Sequence, residues 1–110
     1  MPQFEIVVTS DADRDMDEIF SYVSEKLQVP NAASNLIEKI YTALNALTVM
    51  PGRFSLSRDA FLAKQGFHVL PVENYLVFYV IDNLNQRVII HRVIYGKRNY
   101  TKLFLADEQS

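Results

Sequence analysis

From Gly66 to Arg98 the chain reads GFHVLPVENYLVFYVIDNLNQRVIIHRVIYGKR, three apolar stretches rich in Val, Ile, Tyr and Phe. These residue types fit a pleated surface. The breaks at Glu73-Asn74 and Asp82-Asn83-Leu84-Asn85 are short and polar, as hairpin turns require. The pattern predicts an antiparallel three-stranded meander. A strand with one wet face alternates apolar and polar residues, and the middle stretch does not. Tyr75, Val77, Tyr79 and Ile81 fall on one side, Leu76, Phe78 and Val80 on the other. The last stretch divides in the same way: Val88, Ile90 and Ile94 oppose Ile89, Val93 and Tyr95, with His91 and Arg92 interrupting, one per face. Both faces therefore need cover.

Upstream, Phe4 to Thr9 reads as a first short strand. Ser10, with Asp13 three residues on, has the pattern of a capping box and predicts a helix start. Asp11, Asp13 and Asp15 fall in the first turns, where the helix dipole favours negative charge. Ala12, Met16, Ile19, Phe20, Val23 and Leu27 form the apolar stripe of that helix. Val29-Pro30-Asn31 breaks it. A second helix is expected from about Asn31 to Val49, with Ala33, Leu36, Ile37, Ile40, Tyr41, Leu44 and Leu47 on one face. Residues 53–65 read as a connecting loop with a turn of helix around Asp59 to Lys64, and 99–104 as a short final helix before a frayed tail. The order is β-α-α-β-β-β, an α+β arrangement with a helical hairpin on one face of a small antiparallel sheet. One hairpin covers one face. The second face, mostly apolar, is a larger exposed patch than a soluble monomer normally carries, so a companion is expected there.

Composition changes this picture little. At 110 residues, about half of them apolar, the chain is sized for one domain spanning 1–110. It has no cysteine, hence neither disulfides nor thiolate chemistry, which agrees with a reducing, cytoplasmic setting. No apolar run approaches the roughly 20 residues of a membrane span. Charge is uneven: residues 1–50 hold three basic and eight acidic residues (net −5), residues 51–110 eight basic and five acidic (net +3). The second half is thereby marked for an anionic partner, with Arg92, Lys97 and Arg98 as its close set of cations. Arg92 lies within an apolar strand, so its charge must be paired or reach water; Asp17 on the first helix is one candidate partner. Neither a third ligand nor ligand spacing accompanies His68 and His91, so no metal and no cofactor is implied. Pro71 inside a strand marks an edge or a bulge.

The element order, the VLPVENYLVFYVID segment and the closing VIIHRVIYGKRNY resemble the RelE/ParE superfamily of toxins from type II toxin–antitoxin modules. The resemblance spans nearly the whole chain and is most specific over Tyr75 to Asp82 and Ile90 to Tyr100. It implies a toxin whose open sheet face is wrapped by an antitoxin, through Leu76, Phe78, Val80, Ile89, Val93 and Tyr95. If that side is outward, a charge at Phe78 blocks the antitoxin and spares the fold. RelE-like members cleave mRNA on the ribosome by acid–base and electrostatic catalysis without a metal; ParE-like members bind and inhibit DNA gyrase. Where the RelE arm places two lysines this chain has His68 and Leu70, and where an arginine follows the tyrosine it has Leu76. Arg98 matches; Phe104 replaces the terminal tyrosine, with Tyr100 near. A nuclease would have to use Arg98, Arg92, His68, His91 and Tyr100. The long hairpin and the NYLVFY segment resemble the ParE arm more. The resemblance thus implies a binding toxin, with Arg92, Lys97 and Arg98 toward the target; the alternatives are a ribosome-dependent endoribonuclease and a degenerate toxin that only forms a repressor complex with its antitoxin.

Overall fold

The computed structural model describes residues 3–97. Arg98, Tyr100, Phe104 and the expected final helix lie outside them. The sheet has four strands, β1 (Glu5–Val8), β2 (His68–Val72), β3 (Tyr75–Asp82) and β4 (Arg87–Tyr95), in the spatial order β1-β4-β3-β2. The meander is antiparallel as expected, but β1 runs parallel to β4, from Glu5 opposite Arg87 to Val8 opposite Ile90. A parallel neighbour needs a long crossover, and the two helices between β1 and β2 are part of it.

The first helix, α1 (Ser10–Ser21), is capped one residue earlier than the sequence suggests. Thr9 is the N-cap, its Oγ1 accepting from the Ala12 N–H at 3.2 Å while donating to the Ile90 carbonyl at 2.9 Å. That hydroxyl both starts the helix and ties it to the sheet, which a Ser at position 10 is not placed to do. A single π turn, Tyr22–Lys26, follows. Gln28, at φ 56°, then ends the helical path, and Pro30 opens α2 (Pro30–Ala46), where its missing N–H costs nothing. The two apolar stripes bury Met16, Ile19, Ile40 and Leu44 against Val77, Tyr79, Val88 and Ile90 of the sheet.

The other face is not bare. Residues 53–67 double back across it and carry a five-residue helix, α3 (Ala60–Lys64), capped by Asp59, whose Oδ1 accepts from the Leu62 N–H at 3.1 Å. Leu62, Phe78 and Ile94 are buried there, flanked by half-buried Phe61, Phe67, Val69 and Leu76. Burial of each of the first three is worth roughly 1.5–3 kcal/mol. The same segment hydrogen-bonds to the start of β2, Ser57 N–H to Phe67 O at 2.8 Å and Val69 N–H to Ser55 O at 3.2 Å, so the first part of that edge is covered. The expectation of a wholly exposed second face is thereby corrected: its centre is sealed by the chain itself. The turn of helix expected around Asp59 to Lys64 is present as α3; Phe61, Leu62 and Phe67, few and close together in a polar stretch, do not show that it lies across the sheet.

The assignment of β4 residues to faces also changes. Phe78 pairs with Arg92 but Tyr79 pairs with Ile90, so His91 is an extra residue, a β-bulge. Beyond the bulge the alternation is inverted. Val93 packs with the helix-side core, and Tyr95 stands beside Tyr75 on that side, while Ile94 joins Phe78 under α3. Of the six residues expected to share the outer face, Phe78 and Val93 are buried and Tyr95 belongs to the helix side; Leu76, Val80 and Ile89 are half-buried.

Candidate functional site

Because β1 stops opposite Ile90, β4 continues from His91 to Tyr95 with no strand on that side among the described residues. Asp15 of α1 occupies the gap. Its Oδ2 accepts from the Val93 N–H at 2.9 Å and from Arg92 Nε at 2.8 Å, and its Oδ1 from Arg92 Nη2 at 3.1 Å. The arginine and aspartate side chains are only 16% and 11% exposed. A carboxylate thus stands in for the missing strand, and a two-point, charge-assisted contact fixes the arginine. The expected partner, Asp17, is exposed instead. The signal is present in the sequence: Asp15 falls in phase with Ala12, Met16 and Ile19, on the buried stripe rather than the solvated face.

Beside this contact lies a groove of about 720 Å³ between the π turn and the ends of β3 and β4. Its floor is apolar, with Ile19, Val23 and Leu36. Tyr22 on one wall faces Tyr75 and Tyr95 on the other, and Asp15, Glu18, Glu73 and Arg92 also line it. Tyr75 and Tyr95 meet edge to face, 5.7 Å between ring centres at 65°. Burial raises the Tyr75 phenol above its usual pKa, and the neighbouring Tyr22 and Tyr95 hydroxyls add to the shift, so Tyr75 acts here as a neutral ring. Glu73 is held by Lys39 Nζ at 2.7 Å, and Asp15 by Arg92. Glu18 is exposed and makes no ion pair among the described residues.

The other candidates do not converge. His68 on β2 stacks on Tyr79 (5.2 Å, 17°), with its Nδ1 2.7 Å from the Phe54 carbonyl, on the helix side of the sheet. Tyr79 itself is buried, donates from its hydroxyl to Pro51 O at 2.6 Å, and has its pKa pushed up to about 12, chiefly by burial. His91 lies on the opposite side, edge-on to Phe67 at 5.2 Å, and burial lowers its pKa against a smaller opposing pull from Asp11. Arg92 is occupied by Asp15, and Lys97 is exposed beyond the end of β4. Of the set a nuclease would need, the members within the described residues are split between the two faces and one buried ion pair.

The model of the ParE toxin of type II toxin–antitoxin systems matches residues 6–100. No curated protein matches the sequence closely enough to count as a relative. Two similar solved structures are toxin–antitoxin assemblies. One, described as a chromosomal ParDE system from P. aeruginosa, superposes with a TM-score of 0.70 at 16% identity, covering 86% of this chain and 98% of that one. The other, a RelBE toxin–antitoxin complex from Mycobacterium tuberculosis, gives a TM-score of 0.58 at 20% identity, covering 84% and 98%. At these identities the structures establish a shared fold, and the sequence model, spanning most of the chain, establishes the family. The chain belongs to the ParE toxins of type II toxin–antitoxin systems.

Proposed function

We propose that this chain is a growth inhibitor that acts by binding, with DNA gyrase as its target, and that a cognate antitoxin neutralises it. The observation that carries the reading is the dispersal of the candidate nuclease residues: Arg92 is bound to Asp15, and His68 and His91 lie on opposite faces of the sheet. Phosphoryl transfer to a 2′-hydroxyl requires its acid, base and cations within hydrogen-bond reach of the reacting atoms. For the antitoxin, the groove beside β4, with exposed Tyr22 and Tyr95 at its mouth, offers an apolar seat. On the α3 side Leu76, Val80 and Ile89 remain within a partner's reach, whereas Phe78 there and Val93 on the helix side are buried. Lys97, exposed beyond the end of β4, is offered to the target.

The test is a supercoiling assay with purified gyrase, run beside a cleavage assay on programmed ribosomes. Loss of supercoiling without mRNA cleavage, relieved by the protein encoded alongside, is the expected result. Cleavage that disappears in Arg98→Ala would establish the endoribonuclease instead. Inactivity in both assays, with tight binding to the neighbouring protein, would mark a chain that only forms a complex with its antitoxin.

A further inference from the structure

The groove beside β4 combines three features that ordinarily select one kind of guest. Its floor is apolar, two of its walls carry tyrosine rings, and among the described residues its carboxylates outnumber its cations: Asp15, Glu18 and Glu73 line it with Arg92. Arg92 is committed to Asp15, and the Lys39 ammonium reaches Glu73 from outside the lining. Among the described residues Glu18 is then the charge left without a counterpart, one turn from Tyr22 on the same wall. Of the same helix Asp13 and Asp17 are also exposed, while exposed Asp11 has Arg14 at 3.7 Å. An anionic guest would meet this carboxylate surplus with the one arginine already engaged. A wholly apolar guest would fill the floor and bury Glu18 unpaired, which is costly. A cation on a long aliphatic stem avoids both penalties, its stem on the floor and its head against ring faces and a carboxylate.

We propose that the groove takes a basic side chain, carried on an otherwise apolar segment of the antitoxin, seated among Tyr22, Tyr75 and Tyr95 with Glu18 as its counter-charge. The inference rests on the reading that an antitoxin binds this chain, and it names the chemistry by which that partner is recognised. Two walls contribute. The π turn presents Tyr22, and the turn between β2 and β3 brings Tyr75 and Asn74 to the rim. Tyr95 closes the far side at the end of β4.

The test uses two small probes on the purified chain, so that it does not depend on any partner. N-acetyl-arginine methylamide and its uncharged counterpart N-acetyl-norleucine methylamide are titrated while the ring resonances of Tyr22, Tyr75 and Tyr95 are followed by NMR. The arginine probe is expected to shift all three rings saturably and to bind at least tenfold more tightly than norleucine. Glu18→Gln and Tyr22→Leu, both at exposed positions outside the buried core, are each expected to weaken it severalfold while the amide spectrum stays that of the folded parent. Equal affinities, undisturbed rings, or variants that bind as well as the parent would overturn the proposal. Failure of the neighbouring protein to bind the chain at all would overturn the antitoxin reading and leave the probe result standing.

Discussion

Replacing Asp15 by alanine removes a carboxylate that serves three donors at once, and the consequences can be apportioned. The Arg92 guanidinium loses its two-point partner, and its side chain is 16% exposed, too buried for water to take over fully. Breaking such a pair by deleting one member costs roughly 3–5 kcal/mol. The Val93 N–H, released on a strand edge beyond the end of β1, adds a desolvation penalty of about 1–3 kcal/mol if water cannot reach it. Partial relaxation makes these terms overlap, so the lower end, about 3–5 kcal/mol in all, is the expected loss. A domain of this size has about 5–15 kcal/mol to lose, and each kcal/mol moves its Tm by roughly 4–8 °C. Asp15→Ala should therefore lower Tm by more than about 12 °C, with Asp15→Asn intermediate because the amide oxygen still accepts from Val93. Asp17→Asn, on the exposed side of the same helix, is the control and should fall within about 0.5 kcal/mol of the parent. Thermal and urea unfolding followed by circular dichroism measure all three. If Asp15→Ala and Asp17→Asn were equally mild, Asp15 would not be closing the edge of β4.

Phe78→Asp should unfold the domain rather than spare it, since Phe78 is fully buried under α3; Leu62→Ala, which undercuts the same cluster, should cost about 2–5 kcal/mol in the same unfolding assay. His91 has a depressed pKa, so the unfolded chain binds the extra proton first. Its contribution is complete above the unfolded value near 6.5 and is lost as pH falls below it, and His91→Gln should flatten the decline in urea midpoint between about pH 7.5 and 5.5. Tyr79→Phe should cost about 1 kcal/mol through loss of the bond to Pro51 O. It should also remove an alkaline loss of stability: the phenol's raised pKa, about 12, stabilises the fold fully below the unfolded value near 10 and progressively less as pH rises through 12, read from Tm against pH.

The helices and the meander are legible in the sequence because their periods run long enough to see: apolar positions recur along all of α2, and almost every residue of β3 is a strand former. The turn of helix around Asp59 to Lys64 is legible too, but not the face it covers, and interrupted features are not legible. A bulge has no periodicity, so the extra residue His91 leaves β4 looking like plain alternation while it moves Val93 and Tyr95 to the other side. The cap of α1 is ambiguous by one residue because Thr9 and Ser10 are both good caps, and only the sheet decides which hydroxyl can also reach Ile90. Asp15 has the look of a dipole-favoured surface acid, although its helical phase points it inward. The groove's tyrosines come from the π turn, β3 and β4, far apart in the chain, and no local pattern announces that three rings will meet.

The differences at α3 and at the bulge bear on function together. A sheet with two apolar faces suggests a companion on the face without the helical hairpin, but α3 and the strands bury the centre of that face through Leu62, Phe78 and Ile94. Among the described residues the unmet demand is at an edge instead. β4 has nine residues and β1 only four, so five residues of β4 run on past the strand that should pair with them. An unpaired edge is ordinarily an aggregation hazard, and charged side chains are a common way to blunt it. Here Asp15 blunts only the first part, at Arg92 and Val93, and the remainder opens into the groove at Tyr95. Were β1 long enough to follow β4 to its end, its backbone would occupy the position Asp15 now fills and narrow the groove that the tyrosines line. The length mismatch between two strands, rather than the greasiness of a face, is the feature that leaves this chain with a place to be bound.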